Sequence, residues 1–243
     1  MMVTKELAKS PEEPAADRIY AIGDIHGEAG RLQAIHAAIR QDLAENPVAA
    51  ALIVHLGDYI DRGPDSARCL ALLAAGSPVE GVPSVCLMGN HERMLLDCLT
   101  DAGKSEIWLY NGGAATLQSW GIAIDTPVSE WAAVIPAEQV VFLQRLVLSH
   151  QAGRYLFVHA GVRPGIKLAM QTSQDLLWIR GEFLRWDGTM LPDWPETLIV
   201  HGHTPMAVPD VRANRIGIDT DACRGGKLTC AVLSKDSVYF LQA

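Results

Sequence analysis

Apolar residues follow two rhythms along this chain. Continuous runs at 18–23, 51–57 and 84–89 each end on a glycine, whereas Leu32, Ile35, Ile39 and Leu43 recur at helical spacing until Asn46-Pro47 stops the pattern. Short apolar runs bounded by turn residues read as buried strands, and a recurrence every three or four positions reads as an amphipathic helix. The chain therefore opens β-α-β, continues with a helix over 65–75 and, beyond the third strand, with a helix from about 91 to 100. Such alternation predicts parallel strands with ligand-binding groups at their carboxyl ends.

From 104 to 151 the pattern becomes helical, carried by Trp108, Leu109, Leu117, Trp120, Trp131, Val140, Val141, Leu143, Leu146 and Leu148 and broken by Gly112-Gly113, Gly121 and Pro136. We expect a helical cap there, inserted near the mouth of the site, with its tryptophans in the core rather than forming a base-stacking platform. Asn111-Gly112-Gly113 reads as a turn outside the site. Strand patterns return at 155–158, 198–200 and 216–218, and 228–233 with 238–241 reads as a hairpin around Ser234-Lys235-Asp236-Ser237. Residues 1–17, charged and without an apolar run, read as a flexible leader before a single domain over 18–243.

Chemistry begins where the strand runs end. Five blocks follow in order: Gly23-Asp24-Ile25-His26-Gly27, Gly57-Asp58-Tyr59-Ile60-Asp61-Arg62-Gly63, Gly89-Asn90-His91-Glu92, His159-Ala160-Gly161 and His201-Gly202-His203-Thr204. Each sets a carboxylate, imidazole or amide beside glycine just past an apolar run, so the ligating side chains converge on one rim. That combination is the signature of a two-metal hydrolytic site.

The five blocks resemble the metallophosphoesterases, and more closely the phosphoprotein phosphatase family. That family includes eukaryotic Ser/Thr phosphatases, phage and bacterial protein phosphatases, and bacterial symmetrical diadenosine tetraphosphatases. The likeness runs from about Arg18 to about Ala231 and is weakest over 104–151. It implies an α/β (α+β) fold of two packed mixed sheets flanked by helices, and two divalent cations, Mn²⁺ first, with Fe or Zn as alternatives. By resemblance Asp24 and His26 hold the first cation, Asp58 bridges, Asn90 and His159 complete the second, and His203 returns to the first. The pair would activate a shared water for in-line attack on phosphorus. His91, next to Asn90, is the expected general acid, with Asp61 accepting a hydrogen bond from its other ring nitrogen. Arg62 and Arg180, with Asn90, would bind phosphate oxygens.

The expected activity is dephosphorylation of phosphoserine and phosphothreonine on proteins. A symmetrical diadenosine tetraphosphate hydrolase and an inactive phosphopeptide-binding scaffold are the alternatives. No ligand or acid position is lost, which argues against the scaffold. Glu92 looks like the protein phosphatases, whereas the tetraphosphatases usually carry aspartate there, and the cap offers only Lys104 and Arg145 as fixed positive charges for a polyphosphate. Asp219-Thr220-Asp221 departs from the Asp-Thr-Gly expected of the family. His201 reads as a supporting group, His36 and His55 as structural histidines, and His150 as a surface residue.

Composition narrows the partners. A formal net charge of −8 disfavours a broad basic surface for nucleic acid. The five cysteines are odd in number and lack CxxC spacing, so a reducing cytoplasm is expected and a disulfide framework is not. No apolar stretch reaches transmembrane length, which excludes a membrane partner of the spanning kind.

Overall fold

The computed structural model describes residues 16–234 and 237–243. The first half runs β1 (Arg18–Ile22), α1 (Ala29–Glu45), β2 (Ala51–His55), α2 (Ser66–Ala74), β3 (Ser84–Cys86) and α3 (Asn90–Thr100). Helical segments follow: α4 (Ser105–Trp108), a π-helical turn at Leu109–Gly113, α5 (Ala114–Ser119), α6 (Val128–Trp131) and α7 (Ala137–Arg145). The second half runs β4 (Ser149–Ala152), β5 (Tyr155–Val158), α8 (Ser173–Trp178), α9 (Gly181–Leu184), β6 (Leu198–His201), β7 (Asp210–Val211), β8 (Arg215–Gly217), β9 (Thr229–Ser234) and β10 (Val238–Gln242).

The strands form two five-stranded mixed sheets, ordered β10-β9-β1-β2-β3 and β4-β5-β6-β8-β7. In each sheet the three strands joined by crossovers are parallel, β1-β2-β3 and β5-β6-β8, and the remaining pairs are antiparallel. Alternation within each strand assigns its side chains to different layers. Ile19 and Ala21 of β1, Val54 of β2 and Leu233 of β9 meet Phe157 of β5, Val200 of β6 and Ile216 of β8 between the sheets. Tyr20, Ile22, Ile53 and Val232 face the other way, onto Leu32, Ile35 and Ile39 of α1 and Leu70 of α2. Leu156, Val158 and Ile199 cover the outer face of the second sheet with Leu176 of α8 and Phe183 of α9. Burial on both faces is why these strands read as unbroken apolar runs rather than alternating ones. Removing Phe157, fully buried between the sheets, would cost about 3–5 kcal/mol.

Among the described residues no helix is long and apolar enough to cross a membrane. Most of the leader expected over 1–17 lies outside the described residues, as do two residues of the hairpin turn, 235 and 236. The segment expected to be helical to 151 departs at its end: Ser149–Ala152 pairs with β5, and His150 on it is half-buried with its ring near Phe157, not a surface residue. The short helices α8 and α9 and the two-residue β7 were not anticipated, because none spans enough chain to show a period.

Candidate metal centre

The loops leaving β1, β2, β3, β5 and β6 meet at one rim. Among the described residues six non-glycine positions hold positive φ, and five belong to the motif blocks: His26 (44°), Asp58 (52°), Asp61 (72°), Arg62 (69°) and His203 (65°). Such conformations are sparsely populated for residues with a Cβ and persist only where surrounding contacts over-determine them. Those contacts are on hand. Glu92 of α3 accepts backbone N–H bonds from Asp58 (2.9 Å), Tyr59 (2.7 Å), Ile60 (3.2 Å) and Gly89 (2.9 Å) through its two carboxylate oxygens. The β3–α3 turn closes tightly enough that a Cβ on Gly89 would lie 2.1 Å from Asp58 Oδ1.

Two buried sets of ligating atoms share Asp58: His26, Asp58 and His91 form one, and Asp58, His159 and His203 the other, each with its atoms within 4.8 Å of one another. His26 Nδ1–H donates to Ile60 O at 2.8 Å and His159 Nδ1–H to Leu56 O at 2.9 Å, which leaves each Nε2 with a lone pair for the rim. His159 Nε2 lies 2.9 Å from Asn90 Oδ1 and 3.3 Å from Asp58 Oδ1. Three acceptor atoms converge there, and either a cation or a proton on the ring satisfies them. His203 Nε2 is buried and has no hydrogen-bond partner among the described residues. Nitrogen and carboxylate donors in this arrangement suit divalent cations such as Mn²⁺, Fe²⁺ or Zn²⁺.

The electrostatics agree with the donor geometry. Burial pushes His26 down to about 3 and His203 down to about 2, so both rings are neutral ligands at ordinary pH. Burial alone would raise Asp58, but His159 and His91 hold it well below the carboxylate range. Burial raises Asp24, and the Asp219 and Asp58 charges add to it. So many acidic groups in one desolvated place are relieved by bound positive charge.

His91 Nδ1–H donates to Asp61 Oδ2 at 2.6 Å. Burial lowers the His91 pKa, but Asp58 and Asp61 outweigh it and raise it overall. Arg62 places one guanidinium nitrogen 2.7 Å from His26 Nε2 and the other 2.9 Å from His91 Nε2. A guanidinium only donates, so in this arrangement the His91 ring is neutral and protonated on Nδ1. Arg180 is exposed at the rim, 3.5 Å from Thr204 Oγ1.

Several positions differ from expectation. His203 groups with Asp58 and His159, not with Asp24 and His26, because the turn after β6 swings its ring 5.0 Å from that of His159. Asp24 joins neither set; its carboxylate accepts the His203 backbone N–H at 3.2 and 3.0 Å. His201 packs edge-on against Phe183, 4.9 Å between centroids, behind the rim. Asp221 takes a left-handed conformation, φ 58°, which explains why glycine is the expected residue there. Its carboxylate pairs with Arg224 at 3.5 Å and not with the ligands.

The Asn111-Gly112-Gly113 turn, which from sequence reads as lying outside the site, reaches it: Gly112 O accepts the Arg62 backbone N–H at 3.2 Å. Gly112 has φ 112°, and a Cβ there would lie 2.9 Å from Arg62 Cγ. Trp108, which reads as a core residue of the cap, and Thr116, to which the sequence assigns no role, bind Asp61 directly: Trp108 Nε1–H donates to Oδ2 at 2.8 Å and Thr116 Oγ1–H to Oδ1 at 2.6 Å. Periodicity offers no signal for a buried tryptophan that also donates a hydrogen bond.

Residues 17–233 match the model of the calcineurin-like phosphoesterase family. The chain belongs to that family. Members use divalent metals, and the paired ligand sets are where this one would hold them. The chain is 30% identical over 239 residues to serine/threonine-protein phosphatase 1 of Salmonella typhimurium, covering 95% of this chain and 99% of that protein. It is 30% identical over 145 residues to a symmetrical bis(5'-nucleosyl)-tetraphosphatase of Dechloromonas aromatica, covering 60% and 44%. A solved cold-active protein tyrosine phosphatase superposes with a TM-score of 0.67 at 16% identity, covering 96% and 80%, which concerns the fold. This calcineurin-like phosphoesterase is thus similar to phosphatases of proteins and of dinucleotides alike.

Proposed function

We propose that the chain is a two-cation phosphomonoesterase that removes phosphate from phosphoserine and phosphothreonine in proteins, with Mn²⁺ as its cation. The observation that carries this reading is the His91–Asp61 pair beside the shared Asp58: a ring that can pass a proton to a leaving oxygen stands next to two ligand sets. His26 and Asp58 would hold one cation, joined by Asp24 from outside the His26–Asp58–His91 set, while Asp61 keeps His91 as the acid; Asp58, Asn90, His159 and His203 would hold the other. When bound, the cations supply Lewis acidity and a water acidified toward neutral pH.

The rest falls to the protein. Arg62 and Arg180 donate to phosphate oxygens and stabilise charge that grows in the transition state. When Arg62 donates to phosphate in place of His91 Nε2, that ring nitrogen takes a proton from solvent, which the Asp58 and Asp61 charges favour. His91 protonates the departing alkoxide of serine or threonine from Nε2, while Asp61 keeps the ring in register through Nδ1–H. Full-length similarity to a serine/threonine-protein phosphatase supports a protein substrate over a dinucleotide.

One observation favours the second reading, a symmetrical diadenosine tetraphosphate hydrolase. Trp178, half-buried, stands edge-on to His203 at 6.3 Å, so an aromatic ring is available at the rim. A panel of phosphoserine, phosphothreonine and phosphotyrosine peptides beside diadenosine tetraphosphate, with Mn²⁺, separates the readings. We expect the highest kcat/KM on a phosphoserine or phosphothreonine peptide. Faster release of two ADP from the dinucleotide would transfer the assignment to the second reading.

A further inference from the structure

We infer that Trp108 and Thr116, both from the helical segment between α3 and β4, are positioning residues for proton donation by His91. The inference rests on the reading of His91 as general acid. Asp61 is fully buried, and it has no solvent to orient it. Its Oδ2 accepts from two donors, His91 Nδ1–H at 2.6 Å and Trp108 Nε1–H at 2.8 Å. Its Oδ1 accepts the Thr116 hydroxyl at 2.6 Å, and its backbone N–H reaches Thr116 Oγ1 at 2.8 Å and Ser66 Oγ at 3.1 Å.

Both carboxylate oxygens of Asp61 are therefore engaged by named donors. Thr116 fixes the carboxylate plane from one side and Trp108 from the other, and the only direction left open to Oδ2 is toward His91. Asp61 itself sits at φ 72°, and Thr116 and Ser66 hold its backbone in that unfavourable conformation. Trp108 is held in turn: it is fully buried, its ring lies 5.4 Å from that of Trp131, and a Cβ on Gly113 would lie 2.5 Å from its ring atoms. Only glycine at 113 lets the chain pass that closely. A segment that looks like a cover is thereby built into the leaving-group side of the site.

The chemical consequence is selective. A misplaced imidazole harms departure of a basic alkoxide far more than departure of p-nitrophenolate, which needs little protonation. In the Mn²⁺-loaded full chain, Trp108→Phe and Thr116→Val should each lower kcat on a phosphoserine peptide about tenfold, and on p-nitrophenyl phosphate by no more than about threefold. KM should hold within about twofold, and Thr116→Ser, which keeps the hydroxyl, should restore the peptide rate. Equal losses on both substrates, or none, would overturn the inference.

A second readout does not depend on turnover. In the Zn²⁺-loaded full chain, ¹⁵N spectra should show His91 as a single Nδ1–H tautomer in the wild type and as a mixture in Trp108→Phe or Thr116→Val. An unchanged tautomer in both variants would also overturn it. If the wild type splits neither monoester, the proposed function fails while the tautomer measurement still decides the role of Trp108 and Thr116.

Discussion

Replacing Glu92 with aspartate tests whether this position reads substrate or holds the rim together. By resemblance, glutamate there looks like the protein phosphatases. In the structure its carboxylate touches no open part of the site and is fully buried. It gathers four backbone N–H groups, at 2.7 to 3.2 Å, from Asp58, Tyr59, Ile60 and Gly89. Aspartate is one methylene shorter, and α3 is pinned by buried Met94, Leu95 and Cys98, so the carboxylate retreats by about 1.5 Å. At least two of the four bonds then exceed hydrogen-bonding range. Each buried N–H left without a partner costs about 1–3 kcal/mol, so Glu92→Asp should lose about 2–6 kcal/mol. For a chain of this size that corresponds to a fall in Tm of roughly 5–20 °C. Thermal and urea melts measure the loss, and the substrate panel run below the transition measures preference. A folded Glu92→Asp enzyme with unchanged Tm would refute the bracing argument. A shift of preference toward the dinucleotide at full stability would show that the residue reads substrate after all.

Four further outcomes follow from the same geometry. Chelation should abolish hydrolysis and Mn²⁺ should restore it better than Mg²⁺, because imidazole donors favour transition metals; full turnover by metal-stripped protein would contradict the two ligand sets. His91→Ala should reduce peptide turnover at least about tenfold more than p-nitrophenyl phosphate turnover, and equal losses would place His91 in phosphate binding instead. Arg180→Ala should lower phosphopeptide turnover by roughly 10–1,000-fold as a lost transition-state donor, and an unchanged rate would remove this exposed rim residue from the site. The buried pair His36 and His55, 3.0 Å apart through Nε2, is held neutral by burial at about 4 and about 3. Both folded values lie below the ordinary 6.5, so the unfolded chain binds more protons in acid. That contribution to stability is complete above pH 6.5 and is lost as pH falls toward 4, by on the order of 3 kcal/mol for each ring. Urea melts with chelator present should show it, and the His36→Gln/His55→Gln variant should lose less between pH 7 and 4.5.

The legible part of this protein is the part built from repetition. Apolar strand runs, each followed within a few residues by Asp24, Asp58, Asn90, His159 or His203 with glycine close by, point to the rim, since crossover topology brings the carboxyl ends of parallel strands together. The pairing of His91 with Asp61 was also readable, from spacing and chemistry. How His203 divides between the ligand sets was not, because a one-residue turn at positive φ redirects its ring and leaves no trace in periodicity. The same holds for β4: Ser149–Ala152 has too little apolar content to announce a strand and is ordered by pairing with β5.

What sequence reading could not supply is the support behind the site, and the reason is physical. Trp108 satisfies every criterion of a core residue: it is large, on a helix and fully buried. Its one polar atom decides its role, and where that atom points depends on the break at Gly112 and the packing of Trp131. Glu92 shows the converse, a charged residue in a motif whose work is structural. Motif membership and burial are therefore poor guides to function taken singly. The left-handed backbones at His26, Asp58, Asp61, Arg62 and His203 tie the two together. Strain at Asp58, Asp61 and Arg62 is tolerated because Glu92, Thr116, Ser66 and Gly112 bind their backbone N–H groups, and at His26 and His203 because their N–H groups donate to Asp58 O and to the Asp24 carboxylate, so the same bonds that keep the loops folded set the directions of the ligands and of the acid.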